Sequence, residues 1–334
     1  MNRRMMSTLR VFTHKQVLTN LKPSIQLINK VEEAFSLLSQ GKVDVPLPMH
    51  IGIHETATAG PGDCHIKGGY VEGDATWTVK LANVSFYKNK AKGLSPGSGI
   101  FIVCSAVNGL PLGVFQENRA MTDLRTGAAG AIAVKYFCDK KQDTVAFLGT
   151  GAIAASMATS ACLVHKFKEA YCYGLDFKET EAFCAEMTKI CKFKFTAVKT
   201  AEEATRKSDV IFTQTPASSH VLQLPWLKEK VTIIASGSDQ PTKNEIPSDV
   251  MKKSKFVTDL TRQCVRVGEL RTAVKDKVMK EEDVYAELGE VCNGSKKGRT
   301  DKDGIILVDL TGTGAQDAAI GSYAMEVMSN ISHV

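Results

Sequence analysis

From Leu9 onward, stretches whose apolar positions recur every three or four residues give way to short runs in which they alternate or follow one another. Leu9-Arg10-Val11-Phe12 reads as a short strand and Thr13 as a helix cap. Val17, Leu18 and Leu21, then Ile25, Leu27, Ile28, Val31 and Phe35, fall at helical spacing, ending near Gly41. Pro46, Pro48 and Gly60-Pro61-Gly62 mark loops. Between Cys64 and Phe115 the period shortens. Trp77, Val79 and Leu81 alternate with Thr78, Lys80 and Ala82, and the run from Gly99 to Cys104 is closed by Asn108-Gly109, which predicts an antiparallel or mixed sheet. A helix is expected over 122–137. After it, apolar runs at 145–148, 170–173, 195–198, 210–213, 231–235 and 256–257 alternate with helical segments, the pattern of a parallel, doubly wound sheet. A polar loop at 295–304 precedes a strand at 305–309 and a helix at 315–328, which is expected to pack back on the first domain. The expected fold class is α/β. A doubly wound domain spanning 126–309 is inserted in a second α/β domain made of 1–125 plus 310–334.

Composition narrows the class. Of 334 residues, 42 are Lys or Arg and 36 Asp or Glu, a net charge of +6 that is small for the length and disfavours a dedicated nucleic-acid binder. The length exceeds what one core usually fills, roughly 250–300 residues, so two domains are expected. No apolar stretch reaches the roughly 20 residues that span a bilayer, so no membrane partner is expected. Nine cysteines lie scattered without a C-x-x-C pair, as in a reducing compartment. Before Glu32 the charged residues are all basic (Arg3, Arg4, Arg10, Lys15, Lys22, Lys30), as in an import signal, yet the pattern from Arg10 already reads as structure. A cytoplasmic location is expected, with organelle import as the alternative. His54, His65, His220 and the cysteines show no metal-ligand spacing, and no metal is expected.

The most specific local signal is Val145-Ala-Phe-Leu-Gly149-Thr150-Gly151-Ala152-Ile153-Ala154, a G-x-G-x-x-A directly after a strand and at the start of a helix. Gly149 permits the tight turn, Gly151 lets the backbone approach a pyrophosphate, and Ala154 lets helix and strand pack closely, with the anion at the helix N-terminus. This predicts a nicotinamide dinucleotide, NAD or NADP, with Thr215, Ser236 and Gly237 near later strand ends also assigned to it. The acid expected after the second strand stands two positions late, as Asp176, and no arginine adjoins it. That favours NAD, although Lys178 leaves NADP open and Asp176 is also a good helix cap.

Leu124-Arg125-Thr126 with the following Gly-Ala-Ala-Gly-Ala, Gly149-Thr-Gly151, the segment from Gly237 to Glu245, and Thr311-Gly-Thr-Gly-Ala-Gln-Asp317 together resemble the ornithine cyclodeaminase and μ-crystallin family over nearly the whole chain. That family includes alanine dehydrogenases, ketimine reductases and imino acid reductases. The resemblance implies a Rossmann domain over 126–309 and a second α/β domain that forms a homodimer and carries most of the substrate contacts, with Arg125 holding the substrate α-carboxylate, Lys80 binding the carboxylate or exchanging a proton at the substrate nitrogen, and Asp239 facing the nicotinamide and the amino group. Alternation alone would put Lys80 on a solvated face. Two departures bear on the substrate. The arginine that cyclodeaminases commonly carry after the Pro-rich turn is absent from Val45-Pro-Leu-Pro48-Met-His50, and their glutamate before the lysine is replaced in Cys64-His65-Ile66-Lys67 by His65 or Lys67. A cation there repels the δ-ammonium of ornithine by about 4 kcal/mol in a partly shielded site. The expected reaction is hydride transfer between nicotinamide and the Cα of a small α-amino or imino acid. Ornithine cyclisation to proline, and a non-catalytic binder like the crystallins, are the alternatives.

Overall fold

The computed structural model describes residues 9–329 and Ile331; Arg3 and Arg4 of the basic start lie outside the described residues. The chain opens with β1 (Arg10–Phe12), α1 (His14–Asn20) and α2 (Ile25–Ser39). Six strands follow: β2 (Val43–Asp44), β3 (Met49–Ile53), β4 (Gly62–Val71), β5 (Thr76–Val84), β6 (Ser98–Ser105) and β7 (Pro111–Gln116). Helix α3 (Ala120–Phe137) leads into β8 (Thr144–Leu148), α4 (Ala152–Ala161), β9 (Glu169–Tyr173), α5 (Phe177–Cys191), β10 (Lys194–Ala197), α6 (Ala201–Lys207), β11 (Val210–Thr213) and β12 (Val231–Ala235). Then come α7 (Ser248–Lys253), β13 (Lys255–Thr258), α8 (Thr261–Val267), α9 (Leu270–Lys275), β14 (Ala286–Glu287), α10 (Leu288–Cys292), β15 (Ile305–Asp309) and α11 (Gly314–Met328).

Two compact units divide the chain. The first comprises the described residues through Lys22, Gln40–Arg125 and those from Thr313 on; the second comprises Pro23–Ser39 and Thr126–Gly312. The sequence predicts 1–125 as part of one domain, whereas α2 groups with the second unit. Its buried stripe of Leu27, Ile28, Val31, Ala34 and Phe35 packs on α10, and Asn293 donates to the Ser39 hydroxyl at 2.8 Å. That contact spans more than two hundred residues, beyond the reach of local periodicity.

The first unit is a seven-stranded sheet ordered β1-β7-β6-β5-β4-β2, with β3 also on β4. Only β1 against β7 is parallel among these pairings. Helix α11 covers β4, β5 and β6. Successive strand residues point to opposite faces, and in β5 it is Thr78 and Lys80 that are buried while Trp77, Val79 and Leu81 are half-exposed. The polar face is therefore the inner one. The close fit of α11 depends on two glycines: a Cβ on Gly314 would stand 2.0 Å from the Gly68 carbonyl oxygen and one on Gly321 2.3 Å from the Thr78 hydroxyl, so a larger residue at 314 would lift the helix off β4.

In the second unit eight parallel strands run β10-β9-β8-β11-β12-β15-β13-β14, the doubly wound arrangement that strand and helix alternation predicts. Its centre is apolar, with Phe147 of β8 stacked on Phe212 of β11 at 5.1 Å. Buried carboxylates tie the loops beyond the strand ends. Glu245 accepts from the Thr213 hydroxyl (2.8 Å), from the amide and hydroxyl of Thr215 (2.6 and 2.7 Å) and from the Gly237 amide (2.9 Å). Asp259 accepts the amides of Thr311 and Gly312, both at 2.7 Å. Burial, with Asp259 nearby, pushes the Asp309 carboxyl up to about 8.

Candidate functional site

Strand β8 ends at Leu148, and Gly149 turns the chain with φ +101, a conformation that favours glycine. Gly151 is the N-cap of α4 and offers no side-chain cap, so the first amides of this ten-residue helix keep their capacity for an anion. A Cβ built on Gly151 meets nothing within 4 Å, whereas one on Gly149 would stand 2.9 Å from a Thr215 methyl and 3.0 Å from the Gln214 carbonyl oxygen. Gly149 is thus required by the fold, while the space beside Gly151 is open. Gly151 and Ala152 are exposed, Thr150 and Ile153 half-buried, and Ala154 is buried against the sheet.

The other nucleotide candidates divide. Asp176 caps α5, its Oδ1 accepting the Glu179 amide at 2.9 Å, and Leu175 beside it is 99% exposed. Thr215 and Gly237 turn their donors toward Glu245, so they shape the strand ends rather than offering those groups to a ligand. The Ser236 hydroxyl reaches the Thr213 carbonyl at 3.3 Å. Asp239, in the loop after β12, is half-buried and pairs with Lys243 at 2.6 Å.

In the first unit, Lys67 of β4 and Lys80 of β5 are register partners, and both are buried. Like charges directly opposed across a ladder are unfavourable. The offset comes from α11: Asp317, fully buried, accepts a hydrogen bond from Lys80 Nζ at 2.9 Å, and the same Oδ1 stands 3.1 Å from Arg125 Nε. Burial pushes the Lys80 ammonium down, Asp317 works against that, and Arg125 and Lys67 push it further, leaving it at about 8. Burial alone would raise the Asp317 carboxyl, but Lys80, Arg125 and Lys67 outweigh it and hold the group below the ordinary carboxylate range. His65 lies on the same strand as Lys67, nearer its start, and its ring meets His50 edge-on at 4.9 Å, with His50 in turn 3.0 Å from Asp63. Of the residues singled out from the sequence, Lys80 and Arg125 therefore meet on one carboxylate, Lys67 acts on it electrostatically from the neighbouring strand, and His65 lies nearer the start of β4. Asp317 had no role in the sequence reading, although it closes one of the quoted motifs. Its signal was a carboxylate in the helix Gly-Ala-Gln-Asp-Ala-Ala-Ile-Gly, which has no polar face to carry it. Among the described residues, no group of three or more His, Cys, Asp or Glu is placed to hold a metal, and no helix is long and apolar enough to cross a membrane.

The profile of the ornithine cyclodeaminase/mu-crystallin family matches residues 8–331. The chain belongs to that family. Its relatives include an alanine dehydrogenase of Archaeoglobus fulgidus, 33% identical over 303 residues, covering 90% of this chain and 89% of that one. Among solved structures, a Thermococcus litoralis Δ1-pyrroline-2-carboxylate reductase in complex with NADH and L-proline superposes with a TM-score of 0.90 at 27% identity, covering 96% of this chain and 97% of that one. An archaeal alanine dehydrogenase dimer with bound NAD gives 0.89 at 30% identity, with 98% of each chain covered. Family membership accounts for a Rossmann sheet carrying the glycine turn and a separate sheet carrying the basic cluster.

Proposed function

We propose that this chain is an NAD(P)-dependent oxidoreductase that interconverts a small α-amino acid and its α-imino acid. The observation that carries this reading is the buried meeting of Lys80 and Arg125 on Asp317, with Lys67 paired opposite Lys80, an array suited to a carboxylate and to proton exchange beside it. Arg125 meets Asp317 through Nε, which leaves the two terminal nitrogens of its fork for a substrate carboxylate in bidentate fashion. Lys80, poised at about 8, is charged enough at neutral pH to bind a carboxylate and basic enough to release a proton to the substrate nitrogen or take one from it. Asp239 is assigned the remaining proton on that nitrogen. When bound, the nicotinamide supplies the hydride acceptor or donor. The open side of Gly151 and the start of α4 would hold its pyrophosphate, on the turn that Gly149 makes. The exposed Asp176 carboxylate favours NAD, because a 2′-phosphate beside it would be repelled. The alanine dehydrogenase and the Δ1-pyrroline-2-carboxylate reductase named above, with NAD and NADH bound, support a nicotinamide dinucleotide as the cofactor.

Lys67 bears on substrate choice. A buried ammonium on the Lys80 strand pair disfavours a second cation on the substrate, so ornithine is expected to be poor and neutral or anionic side chains preferred. The comparison is kcat/KM for ornithine, alanine and aspartate, or for the imines formed from pyruvate or oxaloacetate with ammonia, in wild type and Lys67→Glu. Reversing the sign is expected to shift preference toward ornithine by roughly tenfold or more. Efficient proline formation from ornithine by wild type would return the chain to the cyclodeaminases.

A homodimer is part of the proposal. With Thr78 and Lys80 turned inward, the outer face of the first-unit sheet presents Ile66, Trp77, Val79, Leu81, Ile100 and Ile102, all half-exposed. An apolar sheet face of this extent is what a partner subunit covers. Sedimentation at micromolar concentration is expected to show a dimer; a monomer there removes this part.

A further inference from the structure

We propose that Asp317 is the positioning residue of this site, fixing the Lys80 ammonium and the Arg125 guanidinium side by side so that both address one substrate; this rests on the function proposed above. The placement is specific. Asp317 lies in the first turn of α11, where the helix dipole favours a carboxylate, and the Gly314 to Gly68 contact brings that turn down on β4. Its Oδ1 takes both cations, at 2.9 and 3.1 Å, while Oδ2 is buried with no hydrogen-bond partner. A buried carboxylate oxygen left in this state is costly. Packing alone would be served as well by an amide or an apolar residue, so the charge itself is what the site uses.

The groups facing Lys80 come from four elements: Lys67 from β4, the Phe101 ring from β6 at 5.7 Å, Arg125 from α3, and Asp317 from α11. Lys67 and Arg125 act to discharge Lys80, as does burial, and Asp317 alone among these groups acts to keep it protonated. Without that carboxylate, the Lys80 ammonium gives up its proton at a lower pH, and the neutral amine neither anchors a carboxylate nor donates a proton. Arg125 loses the fixed point for its Nε at the same time.

The test follows the titration of Lys80 directly, by NMR of full-length protein labelled with 13C at lysine Cε, the resonance being assigned by its loss in Lys80→Arg. In wild type it is expected to titrate near 8, and in Asp317→Asn at least one pH unit lower. In parallel, NADH-dependent reduction of the imine formed from oxaloacetate and ammonia is expected to fall tenfold or more in kcat/KM at pH 7.5 in Asp317→Asn. Its alkaline limb should move to lower pH while the affinity for NADH stays unchanged. Asp317→Glu, which keeps the charge, is expected to return the Lys80 titration toward that of wild type. A wild-type Lys80 that titrates at the ordinary 10.5 overturns the proposal even if Asp317→Asn does not fold, and so does an Asp317→Asn titration equal to wild type. If the titrations behave as expected but wild type turns over no amino acid or imine, the function proposed above falls while the pairing of Asp317 with Lys80 stands.

Discussion

Gly151→Val is expected to weaken nicotinamide dinucleotide binding by roughly 10- to 100-fold while leaving the melting temperature close to that of wild type. The reason lies in what surrounds the position. Its φ of −87 is open to any residue, it is exposed, and a Cβ there meets no protein atom within 4 Å, so the folded chain has room for the valine. The pyrophosphate does not, because the branched side chain would occupy the space over the first amides of α4. Forcing such an overlap costs about 1–3 kcal/mol, which at about 1.4 kcal/mol per decade gives the stated range. Gly149→Ala is the contrasting case. Its φ of +101 costs a Cβ-bearing residue roughly 1–2 kcal/mol, and the contacts at 2.9 and 3.0 Å add overpacking of similar size. That variant should lose stability first and affinity only as a consequence. Fluorescence titration with NADH and thermal unfolding of both variants separate the two roles. Wild-type affinity in Gly151→Val would show that the nucleotide does not lie over this turn.

The second unit was legible because its signals are local. A five-residue strand with a four-residue apolar run, a glycine turn and a helix of small residues occupy eighteen consecutive positions, Thr144–Ala161, and each piece constrains the next. The first unit was legible in its strands but not in its polarity. Alternation in β5 marks Thr78 and Lys80 as one face and Trp77, Val79 and Leu81 as the other, and nothing within the strand says that the polar face turns inward. That depends on a carboxylate 237 positions away on α11. Lys80 was therefore found through family resemblance and not through periodicity, and Asp317, which makes its burial tolerable, was left without a role. The same limit applies to α2, whose apolar stripe predicts burial but not the helix that receives it. Asp176 shows a different ambiguity. Capping a helix and meeting a ribose both call for an acid at the end of a strand, and the carboxylate oxygen that accepts the Glu179 amide establishes the first without bearing on the second.

Asp239→Asn is expected to lower kcat by roughly 10²- to 10⁴-fold, the usual contribution of a positioned proton acceptor, with NADH affinity unchanged. The substitution preserves size in the loop after β12 and removes the negative charge, and with it the capacity to take a proton. Because Asp239 pairs with Lys243 at 2.6 Å, the loss has to be separated from the breaking of that pair. Lys243→Met does this: it removes the ammonium and keeps the carboxylate. Both side chains are partly solvated, at 21% and 38% exposure, and such pairs contribute about 0–1 kcal/mol, so turnover in Lys243→Met should stay within about tenfold of wild type. A large loss in Asp239→Asn with a small one in Lys243→Met assigns the effect to proton transfer. Equal losses assign it to the loop's geometry. Turnover in Asp239→Asn equal to wild type would leave Lys80 as the proton-handling group and remove Asp239 from the mechanism.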